Sequence, residues 1–173
     1  MPTRKDVKLS ELKLDLDNYR TVHQRSENQA VNALIAIRPG YFWGLMESLL
    51  EDGYLPTENI IVLKSGSAQV VKEGNRRVAA LKIAHRLIRN IDVPDSIAES
   101  IKELSPSWKK DNLSVPCAIY PSSQAALVKK IVSRTHAKGQ TSGRDAWTSV
   151  ARARYGRDEN GAFEPGLDLL ECY

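Results

Sequence analysis

Val70-Val71-Lys72-Glu73-Gly74-Asn75-Arg76-Arg77-Val78-Ala79-Ala80-Leu81 passes from a β-branched pair, through one glycine, into apolar residues at helical spacing. The change of period at Gly74 marks a strand turning directly into a helix. Gly74 supplies backbone angles closed to other residues. The first N–H groups of the following helix then point out of the turn, and with the positive end of the helix dipole they form an anion site. Arg76 and Arg77 add planar, permanently charged donors suited to bidentate phosphate contacts. Two arginines in a first helical turn oppose the dipole, at a cost of a few tenths to about 1 kcal/mol unless an anion is present. Glu73 offers a second way to offset them, as an ordinary surface ion pair. Ala79 and Ala80, directly behind, let the helix pack close to a sheet.

Working outward, the strand is the second arm of a hairpin: Ile60-Ile61-Val62-Leu63, the turn Ser65-Gly66-Ser67, and Gln69-Val70-Val71 returning. Upstream, Leu12, Leu14 and Leu16 alternate with Lys13, Asp15 and Asp17 as a half-buried strand, ending in the polar turn Asp17-Asn18-Tyr19-Arg20. Val31, Leu34 and Ile35 mark a helix from Gln29 to Arg38, stopped by Pro39-Gly40. Leu45, Met46, Leu49 and Leu50 mark a second, from about Tyr41 to a left-handed cap at Gly53. Trp43 and Trp108 read as packing residues.

Downstream, the helix after Gly74 offers Val78, Leu81, Ala84, Leu87 and Ile88 for burial. Val93-Pro94-Asp95 opens another, with Ile97, Ile101 and Leu104 as its stripe and Pro106 at its end. Val115-Pro116-Cys117-Ala118-Ile119-Tyr120 reads as a strand, with Pro116 suggesting an edge or a strand start. One further helix is expected from Ser122 or Ser123 to about Arg134, burying Leu127, Val128 and Ile131. Another is expected from Ser142, where Ser142-Gly143-Arg144-Asp145 fits a capping box. The tail, rich in Gly, Asp, Glu and Pro, is expected to be loosely ordered. The pattern predicts an α+β domain over residues 1–121, a small mixed sheet with packed helices, followed by a helical extension over 122–173.

The composition bounds the function classes. A chain of 173 residues has the length of about one domain with a modest extension. Its net charge of +4 is compatible with an anionic partner without demanding one. Cys117 and Cys172 match no metal or redox spacing, and no metal ligand set is expected. The start, Met1-Pro2-Thr3-Arg4-Lys5-Asp6, has no apolar run behind its charges, and no apolar stretch approaches the ~20 residues of a membrane helix. A soluble, cytoplasmic protein with reduced thiols is the expectation.

The segment Val71-Lys72-Glu73-Gly74-Asn75-Arg76-Arg77-Val78-Ala79-Ala80-Leu81-Lys82 resembles the signature of the ParB N-terminal domain superfamily, whose fold is shared with sulfiredoxin. That pattern is a strand, then Gly-x-Arg-Arg, then Ala at the helix. Other stretches agree in order: Leu14 to Arg20 with the family's opening strand and Asn-x-x-Arg-like turn, Leu45 to Leu55 with its next helix, and Val115 to Ile119 with a later strand. The likeness spans roughly residues 8 to 150, and Gly74-Asn75-Arg76-Arg77 is its most specific element. It implies a ParB/sulfiredoxin-like fold.

In that family the Gly-x-Arg-Arg turn holds a nucleotide triphosphate, CTP in partition proteins and ATP in some relatives. The resemblance therefore implies a nucleoside triphosphate with Mg²⁺, contacted by Gly74, Asn75, Arg76 and Arg77, with Arg20 from the opening turn. A later motif, Glu-Asn-x-x-Arg, completes the pocket and helps position the metal. By order along the chain its counterpart is Ser133-Arg134-Thr135-His136-Ala137-Lys138-Gly139, similar to an Arg-x-His-x-x-Gly variant. This implies phosphate contacts from Arg134, Thr135, His136 and Lys138. No carboxylate stands in that segment, so hydrolysis would need Glu73 or Asp145 in its place. His136 is open to two readings: a ligand contact or proton carrier with a pKa near neutrality, or a helix C-terminal residue with no chemistry. Glu73 and His136 are the candidates for catalysis.

Sulfiredoxin chemistry needs a cysteine within the Gly-turn motif. Asn75 stands there, so sulfinic-acid repair is not expected. The stretch from Ser122 onward is too short for both the DNA reader and the dimerisation domain of a full partition protein. Arg134, Lys138, Arg144, Arg152, Arg154 and Arg157, with Trp147 and Tyr155 interleaved, give the last third a basic cast. Arg144, Arg152 and Arg154 are thus DNA-binding candidates, and a solvated helix face with Trp147 in a core is the alternative. Three functions follow. One is a nucleotide-binding switch or slow NTPase in segregation, plasmid or phage biology, or defence. The second is a metal-assisted DNA nuclease; such cleavage wants clustered carboxylates, and Glu47, Glu51 and Asp52 fall on helical spacing but read first as solvated surface. The third is a non-enzymatic adaptor for DNA or protein, with a homodimer as one form of partner.

Overall fold

Three residues, Leu9–Glu11, join the first two strands, and that short connection dictates the curvature of the sheet. The computed structural model describes residues 1–18, 21–55 and 59–136, with only the backbone described for His136. The described residues form a five-stranded mixed sheet and six α-helices, an α+β fold. The strands are β1 (Thr3–Lys8), β2 (Leu12–Leu14), β3 (Ile60–Ser65), β4 (Ala68–Glu73) and β5 (Ser114–Tyr120). The helices are α1 (Glu27–Ile37), α2 (Pro39–Asp52), α3 (Asn75–Ala84), α4 (Asp95–Glu103), α5 (Pro106–Asp111) and α6 (Ala125–His136), with a short 3₁₀ turn at Ser122–Gln124. The chain divides into two compact units, Met1–Val132 and Ser133–Tyr173. None of the described helices is long and apolar enough to cross a membrane.

The strand order is β1-β5-β3-β4-β2, so β1 and β2 lie at opposite edges. On a flat sheet, four inter-strand spacings would separate them by ~19 Å. Four residue steps reach at most ~14 Å, and the bond from Glu11 N–H to the Lys8 carbonyl (2.9 Å) shortens the path further. The sheet must therefore curl until its edges approach. Val7, Leu12, Leu14, Ile60, Val62, Val71, Val115, Cys117 and Ile119, from all five strands, share one core with α1–α4. On the other face Ala118 and Tyr120 meet Val128 and Val132 of α6, with Ile61, Leu63 and Ile131 beside them.

The hairpin is as expected: β3 and β4 pair antiparallel, from Ser65↔Ala68 to Ile61↔Glu73. Several other expectations are corrected. β1 was not anticipated, because an edge strand reading Thr-Arg-Lys-Asp-Val-Lys buries only Val7. β2 stops at Leu14, so Asp15 is buried and Leu16 only half-buried, the reverse of a continued alternation. α1 begins at Glu27, two residues before its expected start, capped by Ser26, whose Oγ accepts from Gln29 N–H. Pro39 opens α2 instead of separating it from α1, as suits a residue with no N–H to bond. Gly53 ends α2 with φ 74 and ψ −169, a positive φ outside the left-handed helical basin.

α3 ends at Ala84, short of the expected Leu87 and Ile88. Leu87 N–H returns to the Lys82 carbonyl and Arg86 N–H to the Ile83 carbonyl, the Schellman closure. The left-handed position, φ 57, is filled by Arg86, so no glycine announced the stop. Leu87 is consequently exposed, while Ile88 is buried. Pro94 precedes α4 as its cap residue, and Pro106 begins α5. β5 is an interior strand, between β1 and β3. Pro116 is tolerated because β3 pairing begins only at Cys117, leaving Ser114–Pro116 with one neighbour. Leu127 is exposed and Val132 takes the buried place on α6. Trp43 and Trp108 pack against the core as expected, and Glu47, Glu51 and Asp52 are exposed. The helix expected from Ser142 and the tail lie outside the described residues.

Candidate anion-binding site

β2 and β4 are parallel neighbours, with Leu14 opposite Val71, so their carboxyl ends deliver Asp15 and Gly74 to the same end of the sheet. Gly74 takes φ 92 and ψ 14 and caps α3. Its carbonyl accepts from Val78 N–H at 3.0 Å, the first bond of the helix. Gly74 has no side chain with which to cap this N-terminus, where the positive end of the helix dipole lies. Glycine is required twice over. The positive φ disfavours any side chain, and a Cβ here would stand 2.3 Å from Ile60 Cδ1.

Asn75, the first residue of α3, is buried and its side chain is committed inward. Oδ1 accepts from Asp15 N–H at 3.0 Å and Nδ2 donates to the Val71 carbonyl at 2.9 Å. Any contact from Asn75 to an anion would therefore come from its backbone N–H. Asp15 Oδ1 accepts from Lys72 Nζ at 2.8 Å. The four residues thus close a ring: Val71 to Asn75, Asn75 to Asp15, Asp15 to Lys72, and Lys72 back to Val71 through the chain. The ring fixes the turn against the end of β2. It also pairs the carboxylate nearest the turn with an ammonium, so that Asp15 does not face an incoming anion as a bare negative charge.

Arg76 and Arg77 occupy the first turn of α3 half-buried, and Glu73 ends β4 half-buried, opposite Ile61. None of the three is without a partner. One layer below, Lys82 is buried at 3% exposure, donating to the Leu12 carbonyl (2.6 Å) and to Glu27 Oε1 (2.8 Å). The same Oε1 accepts Leu14 N–H at 2.8 Å. Glu27 is the first residue of α1, so this pair joins α1, β2 and α3.

The structure thus brings Glu73, Gly74, Asn75, Arg76 and Arg77 together in one turn. The segment leading to Arg20 departs from this turn through Asp15; Arg20 itself lies outside the described residues. Arg134 and Thr135 are exposed on the last turn of α6, within the second unit. The side chain of His136, together with Lys138, Arg144, Asp145, Arg152, Arg154 and Arg157, lies outside the described residues. Trp147, Tyr155 and Cys172 do so as well.

Sequence reasoning did not single out Lys72, Asp15, Lys82 or Glu27. One signal was present: Lys82 follows Val78 by four positions, so a charge interrupts a face read as apolar. Cys117 is buried and its thiol is pushed up to about 12, first by that burial and then by the Asp6 carboxylate, so it is no thiolate nucleophile at neutral pH. A shallow cleft of about 390 Å³ between the end of α2 and α5, lined by Asp52, Ser105, Trp108 and Asp111 among others, includes no residue of the Gly74 turn. Beside it His85 stacks on Trp108, with ring centroids 5.5 Å apart. Burial lowers the pKa of His85, and its buried Nε2 has no hydrogen-bond partner. Against known proteins, no family model and no curated protein matches the chain.

Proposed function

We propose that the chain is a ParB-like nucleotide-binding domain whose Gly74 turn seats the phosphates of a nucleoside triphosphate, CTP or ATP, in a DNA-related process such as segregation, plasmid or phage biology, or defence. The observation that carries this reading is a helix N-terminus whose cap residue is a left-handed glycine with no side chain of its own, with Arg76 and Arg77 in its first turn. Cationic side chains in a first turn oppose the helix dipole, and a bound phosphate reverses the sign of that term. The residues at the turn suit phosphate well and suit a bare metal ion poorly, since Asp15 is already bonded to Lys72. Mg²⁺ would therefore arrive on the nucleotide's own phosphates. Arg20, Arg134, Thr135, His136 and Lys138 belong to the proposal through the family resemblance, as does turnover through Glu73 or His136. The DNA contacts proposed for Arg144, Arg152 and Arg154 rest on sequence.

Calorimetric titration with CTP, ATP and GTP, with and without Mg²⁺, tests the reading. Binding of at least one nucleotide is expected, weakened on the order of 100-fold in Arg76→Ala/Arg77→Ala through loss of two charge-assisted bonds. No binding by any of them, or binding unchanged in that variant, sinks it. The nuclease and adaptor alternatives draw on no specific observation among the described residues, and plasmid digestion in Mg²⁺ or Mn²⁺ separates the two.

A further inference from the structure

We infer that Lys72 is the residue by which the Gly74 turn selects a chain of phosphates over a single one, with Asp15 holding its ammonium in place. The inference rests on the phosphate-turn reading. Lys72 is the penultimate residue of β4 and approaches the turn from the strand side, whereas Arg76 and Arg77 approach from the helix side. Its Nζ sits 2.8 Å from Asp15 Oδ1, and the Asp15 backbone is itself bonded to the Asn75 side chain at the start of α3. The ammonium is thus held at the turn by a closed ring of hydrogen bonds. Its side chain keeps 27% of its exposure while that of Asp15 keeps 9%, so the cation and not the carboxylate has access to solvent.

A single phosphate has four oxygens around one centre and is met by the helix N-terminus and one guanidinium. A triphosphate extends further and carries enough oxygens to engage donors on both sides of Gly74. Lys72 keeps its bond to Asp15 Oδ1 and gives a second of its three N–H donors to a phosphate oxygen, so the buried carboxylate is not left unpaired beside the incoming anion. Lysine suits this role, since an ammonium is a point charge with three rotatable donors on a flexible stem and can serve two acceptors at once.

The test is titration of the full chain with inorganic tripolyphosphate and with orthophosphate at fixed ionic strength. The proteins are wild type, Lys72→Gln/Asp15→Asn, Lys72→Met/Asp15→Asn, Lys72→Arg and Arg76→Ala/Arg77→Ala, each checked for native circular dichroism; Asp15 is neutralised with Lys72 so that no bare carboxylate repels both anions. In the two neutral variants the affinity for tripolyphosphate is expected to fall about tenfold, equivalent to ~1.4 kcal/mol. The affinity for orthophosphate should change less than about twofold, and Lys72→Arg should recover part of the loss. A merely structural lysine would shift both anions together. Unchanged selectivity in both neutral variants, with binding lost in Arg76→Ala/Arg77→Ala, overturns the role of Lys72 and leaves the phosphate turn standing. Failure of wild type to bind either anion overturns both.

Discussion

Replacing Gly74 with alanine offends the turn in two separable ways, and Ile60 provides the means to separate them. The first is conformational: φ 92 places a Cβ in the left-handed region, at ~1–2 kcal/mol. The second is steric: the new Cβ stands 2.3 Å from Ile60 Cδ1, an overlap that forces an off-rotamer isoleucine or a backbone shift at ~1–3 kcal/mol. The next atoms of Ile60, Cγ1 and Cγ2, lie at 3.6 and 3.7 Å, which is ordinary contact. Ile60→Val deletes Cδ1 alone and should cost ~1 kcal/mol by itself.

Gly74→Ala should then destabilise by ~3.5 kcal/mol. The double variant should cost only ~2.5 kcal/mol, the conformational strain plus the deleted methyl, where additivity would give ~4.5 kcal/mol. The coupling of about 2 kcal/mol is the steric part read directly, well beyond the ~0.5 kcal/mol scatter of independent sites. Urea titration at 25 °C, followed by tryptophan fluorescence on the four proteins of the cycle, measures it. Losses of this size leave a domain of ordinary stability, ~5–15 kcal/mol, measurably folded. Additive single costs would refute the contact between Gly74 and Ile60, and a near-neutral Gly74→Ala would refute the left-handed cap itself.

Other outcomes follow from the same geometry. Asn75→Ala leaves the buried Asp15 N–H and Val71 carbonyl without their side-chain partner and should cost ~2–4 kcal/mol in the same titration, a loss under ~1 kcal/mol showing that the ring does not form. Lys82→Met removes the buried cation facing Glu27, leaving the carboxylate with Leu14 N–H and, at 4.0 Å, Lys13, and should cost ~3 kcal/mol, of which Lys82→Met/Glu27→Gln should recover at least ~1 kcal/mol; equal losses would refute the pair. His85 has a pKa lowered chiefly by burial, so the unfolded chain takes up the proton first. The stability this contributes is present above the ordinary histidine value of ~6.5 and is lost as pH falls through it, flattening below the folded-state pKa. The difference in stability between wild type and His85→Gln should therefore narrow between pH 7.5 and 5.5, and a constant difference would refute the assignment.

The elements legible in the sequence were those whose stop and start signals are local. The β3–β4 hairpin carries its Gly66 turn, and the Gly74 turn carries its change of period, so both were readable from a few residues. What failed was set by partners far along the chain. β1 looks like a charged terminus, yet it is a strand because β5 offers it a ladder over six residues. Pro116 signals an edge, and it is one locally, for reasons lying in where β3 begins. α3 ends in a left-handed arginine whose composition gives no warning. At the site, the arginines were visible by type, but the ring through Asp15 and Asn75 spans sixty positions and depends on the parallel pairing of β2 with β4.

That pairing is short, and the way it is held explains why the turn stands where it does. Three residues of edge strand contribute little by their ladder alone. Instead, side chains take the backbone groups that β2 and the residue after it would otherwise leave open. Lys82 holds the Leu12 carbonyl, Glu27 holds Leu14 N–H and Asn75 holds Asp15 N–H. Two of these three come from α3, and their spacing acts as a ruler. Asn75 and Lys82 are seven residues apart, two turns, so they lie on one helix face ~10.5 Å apart along the axis. Leu12 and Asp15 lie three residues apart, ~10 Å of extended chain. The matching lengths let α3 and β2 meet at both ends only in one register, with Asn75 against Asp15 and Lys82 against Leu12. The same clamps close the open edge of β2 against a further strand. The Gly74 turn is therefore positioned less by β4, which merely leads into it, than by a polar face of α3 locked to the shortest strand of the sheet.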